Sequence, residues 1–273
     1  MLDAFVHWFA VQPAGPAIAA LMIDRLWPRR RASPPAVVAR PVAILVRRLN
    51  RARRPAATRR FRGTLLWLVV VGLAVGLGFA VAAALRDWLP APWPAVSEVF
   101  ILAAGIAYQA ARSTARRAVQ GLASLGPRRA EQVGTIACAR LASRFADGAV
   151  ALPLAYLAAG LPGLFAIKAG QWLVHAVDRD RDGDFGRAVR RCHGLLTAPA
   201  AWIAGVLIGL GRLPAPGLAP SPAVTALAGV LDRGGLVPSA AARRLAGARI
   251  VVDRAHALWI VVLAAASVLS AVF

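Results

Sequence analysis

The feature that most constrains this chain is one uninterrupted apolar segment. Residues 65–85 form a run of 21 residues without a charged side chain. As an α-helix rising about 1.5 Å per residue, this run covers roughly 30 Å, which is the thickness of the hydrocarbon core of a bilayer. A buried helix of a water-soluble protein rarely needs such a run. We therefore predict that this segment crosses a membrane as a helix.

Composition and further apolar stretches extend this prediction to the whole chain. Hydrophobic residues make up 59% of the 273 residues and charged residues 16%, whereas soluble domains are about half apolar and a quarter charged. The other apolar stretches are residues 5–27, 95–111, 149–176, 195–210 and 255–273. The predicted fold class is an all-α, polytopic helical membrane protein with five to six spans. We find no internal repeat, and we interpret residues 1–273 as a single integral membrane domain.

The arginines indicate how the chain is oriented. The net charge is +21, and residues 29–62 contain twelve Arg and no acid, directly before the apolar run. Residues 112–146 carry seven more Arg. Because basic loops stay inside, we predict that both segments are cytoplasmic and that the turn at residues 86–94 is external. Anionic lipid is the next partner that this charge suggests. Nucleic acid is not expected, since the arginines directly adjoin a span.

Two parts of the chain leave their local structure open. Residues 42–49 form an amphipathic pattern that fits a helix lying in the membrane interface or a solvated arm. The apolar stretch 149–176 is interrupted by Gly-Leu-Pro-Gly at residues 160–163, so it is one span or a re-entrant hairpin of two half-spans. We favour the hairpin, with residues 161–176 returning to the cytoplasm. Polar loops are predicted over residues 177–193 and 212–249.

An acidic run within the first of these loops is a candidate metal site. Four aspartates occupy every second position, and a glycine lies between the last two, as in the front half of a calcium-binding loop: Asp178, Asp180, Asp182 and Asp184. The twelfth position, which should supply a bidentate Glu, is Val189. We therefore rank a Mg²⁺ or Mg–nucleotide site above calcium. A polar loop that its own arginines neutralise is the leading interpretation.

Asp147 is the most suggestive single acid. It lies beside Gly148 at the mouth of an apolar stretch, where an acid is costly and tends to have a role. A helix N-cap at the interface is the equally favoured alternative. His175 and His193 flank the acidic loop, so they can approach one another, although such histidines are more often simply interfacial. The sequence contains no phosphate-binding loop, GxSxG or HExxH motif.

Several short segments, taken in order, resemble the CobD/CbiB membrane proteins of cobalamin biosynthesis. Each is weak alone, and their shared order over nearly the whole chain carries the resemblance. They are ALMIDRL at 20–26, PVAILVRRLNR at 41–51, FRG at 61–63, FADGAVA at 145–151, Tyr156, GLPG at 160–163, Lys168, FGRA at 185–188 and SP at 221–222.

The resemblance implies an activity, a multi-pass location in the inner membrane of a bacterium, and a set of partners. Members of that family join a corrinoid carboxylate, as in cobyric acid, to aminopropanol or its phosphate, with ATP hydrolysis driving amide formation. ATP and Mg²⁺ are the implied cofactors, and a corrinoid, membrane lipids and other enzymes of the pathway are the implied partners. Asp147 matches a position that would bind metal or orient the amine. Lys168 matches one that would contact phosphate or carboxylate.

The chain also departs from the family pattern. Ala139 and Ser143 stand where acids are usual, and residues 171–175 and 193–194 replace segments that usually contain Asp. The acidic loop is a possible replacement for those carboxylates. The alternative function is therefore a non-catalytic membrane paralogue that acts as a scaffold or regulator. A small transporter ranks last, because the runs at 65–85 and 195–210 bury no charge.

Overall fold

The structure is a computed structural model that describes residues 14–26, 36–50, 54–106, 108–122, 124–178, 183–211 and 240–272. Helices account for all regular secondary structure in these ranges. They are α1 Ala14–Leu26, α2 Ala36–Leu49, α3 Ala56–Trp88, α4 Trp93–Gly105, α5 Tyr108–Leu122, α6 Pro127–Arg144, a π-helix Phe145–Val150, α7 Ala151–Asp178, α8 Gly183–Gly211 and α9 Ala240–Val272.

The helices confirm the all-α membrane class. Four helical stretches of the described chain are long and apolar enough to cross a membrane: α3, Arg128–Val177, α8 and Ala241–Leu269. A fifth, α4, is apolar but shorter. α3 exposes large apolar side chains along its length, including Leu68, Leu73 and Phe79. Such a surface is stable against lipid rather than water, so the chain is a membrane protein.

The stretch Arg128–Val177 does not run straight. It has 50 residues, which would extend roughly 75 Å as one helix. Instead, Gly160 adopts φ 64° and ψ −148°, outside the helical region, and divides α7 into residues 151–159 and 161–178. A side chain at Gly163 would lie 2.2 Å from the carbonyl oxygen of Ala155, so the two arms are in contact next to the break.

A hydrogen bond far from the break shows that the arms fold back on each other. Gln171 donates from Nε2 to the backbone oxygen of Asp147 over 2.7 Å, although the two residues are 24 positions apart. A continuous helix would separate them by roughly 36 Å. The predicted hairpin is therefore confirmed. That the hairpin is re-entrant in the membrane stays a prediction, because its first arm continues directly from α6 and the π-helix. The membrane side on which it opens stays a prediction.

α3 packs closely against the tip of the hairpin at one glycine and against α8 at another. A Cβ on Gly78 would lie 2.5 Å from the Cα of Pro162, at the tip of the hairpin. A Cβ on Gly63 would lie 2.6 Å from the backbone oxygen of Phe185, in α8. The two glycines are 15 residues apart, or roughly 22 Å along the helix. α3 thus fixes the tip of the hairpin well inside the apolar run that begins at residue 65.

The amphipathic segment at residues 42–49 packs against protein. It forms the second half of α2, and Val46 is buried beside Leu66 of α3, Leu173 of α7 and Phe185 of α8. The arginines at 47 and 48 are exposed on the other side. A freely solvated arm is therefore wrong for this segment.

Three predicted boundaries are wrong. The predicted loop at residues 177–193 is helical at 177–178 and at 183–193, because the polar residues continue α7 and α8 beyond their apolar parts, and residues 179–182 lie outside the described part. The loop at 212–249 is helical from residue 240, and residues 212–239 lie outside the described part. The predicted span at 95–111 ends at Gly105, and α5 begins at Tyr108. Its 13-residue helix covers only about 20 Å.

Candidate functional site

The helix that enters the hairpin is locally widened around Asp147. Residues Phe145–Val150 form a π-helix between α6 and α7. A π-helical turn inserts an extra residue and displaces the backbone, and such turns occur frequently at functional sites. Phe145 and Val150 are fully buried, whereas Asp147 and Gly148 between them are half-buried. The widened turn therefore places one carboxylate between the buried side chains of Phe145 and Val150, at the open end of the hairpin, which we call its base.

The returning arm of the hairpin places polar side chains opposite this acid. Gln171 donates its 2.7 Å hydrogen bond to the Asp147 backbone. His175, one turn further on, lies 2.7 Å through Nδ1 from the backbone oxygen of Gln171, so Nδ1–H is the donor and Nε2 is left to accept. Lys168 lies three residues before Gln171 on the same face. Asp147 interacts electrostatically with both Lys168 and His175.

Lys168 is held by a close approach between helices. A Cβ on Gly105, the last residue of α4, would lie 3.3 Å from Cε of Lys168 and 3.5 Å from Leu164. The lysine stem thus packs closely against α4, and Lys168 interacts electrostatically with Asp147. Lys168 is the only lysine among the 33 basic residues, so its placement here is informative.

α8 contributes a second histidine. His193 is buried, with 8% of its surface exposed, and its Nδ1 has no hydrogen-bond partner in the part of the chain that the structure describes. A Cβ on Gly170 would lie 2.4 Å from that nitrogen, so this glycine permits the imidazole to pack against α7. His193 also interacts electrostatically with His175. We call the resulting group the basal cluster: Asp147, Lys168, Gln171, His175 and His193.

Sequence reasoning found part of this cluster. Asp147 and Lys168 were candidates, and the structure brings them together; their roles stay predictions. His175 and His193 were expected to approach one another, but were interpreted as interfacial. The missed signal is the spacing of Lys168, Gln171 and His175, because positions i, i+3 and i+7 share one face of a helix.

The acidic loop does not join the basal cluster through its described residue. Asp184 is bound by arginines: Arg60 at 2.7 Å, Arg187 at 3.4 Å and Arg59 at 3.5 Å. Asp180 and Asp182 lie outside the described residues, and so does the side chain of Asp178. The described residues contain no group of three or more His, Cys, Asp or Glu side chains that would hold a metal. The four-aspartate site stays a prediction, and Asp184 itself supports the self-neutralised interpretation.

A second polar group, partly buried, lies beside Phe145 of the π-helix. Asp253 of α9 accepts an ion pair from Arg112 at 2.9 Å and lies 4.0 Å from Arg249. His256, one turn further on, is 1% exposed, and its ring packs edge-to-face on Phe145 with centroids 6.5 Å apart. Charges buried in this way are paired because an isolated one would be costly. This network fixes α5 and α9 beside the π-helix, and sequence reasoning did not find it.

Comparison of the sequence with curated proteins identifies relatives of this chain. A cobalamin biosynthesis protein CobD from Rhodobacter capsulatus is 31% identical over 210 residues, covering 67% of this chain and 64% of the relative. The CobD protein of a Sinorhizobium species is 31% identical over 220 residues, covering 71% of this chain and 67% of the relative. The chain belongs to the CobD family. The Brucella melitensis member is 30% identical over 221 residues.

This CobD family member is a divergent one. It spans about two thirds of the length of the curated relatives that it matches. No family model matches the chain. No solved structure matches it either.

Three of the positions at which this CobD family member departs from the family pattern lie in the basal cluster. Residues 171–175 and His193 replace segments in which the resemblance leads one to expect Asp. Gln171, His175 and His193 nevertheless face Asp147 and Lys168 in the basal cluster. Three of the substituted positions thus lie in one site, which stays polar, whereas Ala139 and Ser143 lie in α6 outside it.

Proposed function

We propose that this protein acts in cobalamin biosynthesis by joining a corrinoid carboxylate to aminopropanol or its phosphate, in an amide-forming reaction that ATP drives. The observation that carries the proposal is the basal cluster. Residues matched to the family at 147 and 168, and residues that depart from it at 171, 175 and 193, come from three separate helical segments and meet at the base of one hairpin. The relatives' names support the pathway, and the cluster supports the chemistry.

Amide formation places distinct demands on a site. The carboxylate must be activated, its developing negative charge must be stabilised, and the amine must lose a proton. Lys168 supplies the cation for a phosphate or carboxylate oxygen. Asp147 supplies an anion that either orients the ammonium form of the amine or helps to hold Mg²⁺. A neutral imidazole, His175 Nε2 or His193 Nδ1, would take one proton from that ammonium, so that the free amine nitrogen can attack the carbonyl carbon of the activated carboxylate. As the C–N bond forms, the C–O bond to the activating phosphate would break, and the second amine proton would leave with that phosphate.

Two side chains of the basal cluster have the chemistry to bind Mg–ATP: the carboxylate of Asp147 for Mg²⁺ and the ammonium of Lys168 for the phosphates. Mg²⁺ is commonly held by one or two carboxylates together with substrate phosphates, and Asp147 offers one such carboxylate. When bound, Mg–ATP would supply the phosphoryl group that activates the carboxylate. Lys168 would bind and orient the phosphates from the opposite arm of the hairpin. The aspartates at 178, 180 and 182 are candidates for further oxygen ligands if their loop lies on the same side of the membrane.

The proposal requires the basal cluster to face the cytoplasm, where ATP is present. The arginine bias predicts that the start of α3 lies on the cytoplasmic side of a bacterial inner membrane. Arg59 and Arg60 at that start pair with Asp184, so the loop at the end of the hairpin lies at the same level. Membrane lipids and other enzymes of the pathway are the proposed partners.

The second candidate is a paralogue without ligase activity, acting as a scaffold or regulator. The specific observation in its favour is the absence of carboxylates at 171, 175 and 193. The two candidates are distinguished by expressing this chain in a bacterium that lacks its own synthase and supplying the corrinoid acid and aminopropanol. Growth that depends on cobalamin supports the ligase. Normal membrane insertion without growth, with a CobD relative restoring growth in parallel, would favour the scaffold.

A further inference from the structure

A cavity of about 630 Å³ lies at the tip of the hairpin, away from the basal cluster. Its walls are the turn at residues 157–162, the end of α3 and the start of α4. Asp147 precedes Tyr156, which also lines this cavity, by nine residues, or roughly 14 Å of helix. None of the five basal residues lines it. The cavity is therefore separate from the site of the proposed reaction.

The cavity lies at the boundary between the hydrocarbon core and water. Arg86, which lines it, directly follows the uncharged run at residues 65–85. Trp88 and Trp93 flank it with 83% and 57% of their surfaces exposed. Exposed tryptophans beside the end of an apolar helix are typical of the membrane–water interface. A ligand in this cavity would have one end at the level of lipid headgroups.

Both signs of charge line the cavity. Arg86 and Glu98 contribute a guanidinium and a carboxylate, and Glu98 accepts a hydrogen bond from the hydroxyl of Tyr156. Tyr156 is buried, with 4% of its surface exposed, so it holds the carboxylate from the hairpin side. A carboxylate has further acceptor capacity after one such bond. Guanidinium groups match phosphate oxygens, and carboxylates match ammonium groups.

The rest of the wall is apolar. Phe79, Ala82 and Pro162 line the part of the cavity that lies deeper in the membrane than Arg86. A small soluble zwitterion would leave these groups uncovered. A molecule with a zwitterionic head and a hydrocarbon tail would match both parts, because its tail removes apolar surface from water.

We propose that this cavity binds a phospholipid whose headgroup carries both a phosphate and an ammonium group, as in phosphatidylethanolamine. Arg86 contacts the phosphate, Glu98 contacts the ammonium, and an acyl chain lies along Phe79. The inference goes beyond the proposed amide synthesis and does not depend on it. A free amino-alcohol phosphate shares the headgroup chemistry, so the experiment must separate it from the lipid.

The test is native mass spectrometry of the full chain released from detergent micelles, with lipids added at matched concentrations. The wild-type protein should retain phosphatidylethanolamine in preference to phosphatidylglycerol, which has the phosphate but no ammonium. Arg86→Gln should bind both lipids about tenfold more weakly, since a charge-assisted contact is lost. Glu98→Gln should abolish the preference while keeping a hydrogen-bond acceptor for Tyr156.

Matched controls remove the same charges elsewhere. Arg62→Gln acts at the opposite end of α3, and Asp87→Asn acts beside Arg86 on a residue that does not line the cavity. Both should bind lipid as the wild type does. Equal retention of the two lipids by the wild type, or an Arg86→Gln result that matches Arg62→Gln, would overturn the proposal. Displacement of the lipid by an equal concentration of phosphoethanolamine would overturn the assignment of a lipid.

Discussion

The base and the tip of the hairpin are two ends of one apolar stretch, and they are built in opposite ways. The base carries two histidines, a lysine, an aspartate and a glutamine on facing segments. The tip has a glycine in a non-helical conformation and a proline packed against Gly78 of α3. The base is held together by polar contacts, and the tip by the close approach of two backbones.

The difference shows how one break produces a site. Asp147 and Lys168 are 21 positions apart, which a continuous helix would separate by roughly 31 Å. The turn at Gly160 brings them to the same level. We expect substitutions at the base to reduce activity with little change in folding, and substitutions at the tip to reduce stability.

The largest expected effect is an all-or-none difference in labelling from outside the cell. With Cys138 and Cys192 replaced by Ser, Ala91→Cys near the turn after α3 should react with an impermeant thiol reagent, and Ala57→Cys should not. The arginine bias at the start of α3 is the physical reason. Both should react after the membrane is permeabilised.

A reporter fused after Gly183 extends the topology test to the base of the hairpin. Alkaline phosphatase is active only outside the cytoplasm, so it should be inactive at this position. Activity there would put the basal cluster on the wrong side for ATP. The ligase proposal would then fail, although the hairpin would stand.

Removing either charge of the basal cluster should cause the next largest effect. Asp147→Asn and Lys168→Met should each lower the rate of amide formation about 10²–10³-fold, which is the usual cost of losing an electrostatic catalytic group. The measurement is cobalamin-dependent growth together with the rate in isolated membranes. Asp87→Asn, an exposed acid outside the cluster, should keep full activity. Full activity in both cluster variants would show that the base is not the reaction site.

The sequence predicts a helix break more reliably than it predicts the length of a polar loop. The break at residues 160–163 was predictable, because Gly and Pro weaken a helix wherever they occur. The length of the loop at 177–193 was not, because charged residues can either end a helix or continue it into water. α7 and α8 do the second, through Asp178 and from Gly183.

The site was predictable only where a residue was unusual by itself. Asp147 is a candidate because it lies in an apolar setting, and Lys168 because it matches a family position. Gln171 and His193 are visible in the sequence only as departures from the family pattern, and their place in the site comes from the fold. Gln171 reaches Asp147 only after the chain has turned back, and His193 arrives from α8. The helical spacing of Lys168, Gln171 and His175 places these three on one face, but no local pattern shows that Asp147 and His193 meet them.

At the tip of the hairpin, we expect a substitution to have a smaller effect, and on stability rather than on activity. A Cβ on Gly78 would lie 2.5 Å from the Cα of Pro162, and backbone cannot move away as a flexible side chain can. We expect Gly78→Ala to cost about 1–3 kcal/mol in the free energy of unfolding, as overpacking commonly does. In detergent the melting temperature should fall by about 3–10 °C. A dye that reacts with cysteine thiols on unfolding provides the measurement.

Gly76→Ala is the matched control, since nothing lies within 4 Å of a Cβ at that position. It should leave the melting temperature unchanged or raise it, because Ala is the better helix former. Equal melting temperatures for the two variants would mean that α3 does not brace the hairpin tip as the structure has it.

The smallest expected effect tests whether geometry within the base matters as well as charge. Gly170→Ala keeps every charged group, but its Cβ would lie 2.4 Å from Nδ1 of His193. The imidazole is the end of a side chain and can shift, so the melting temperature should change little. Activity should fall about tenfold, because small displacements of a catalytic group are costly. Gly194→Ala is the control, as a Cβ there meets nothing within 4 Å. If Gly170→Ala and Gly194→Ala are equally active, His193 does not contribute to the reaction, and the proton acceptor must be His175.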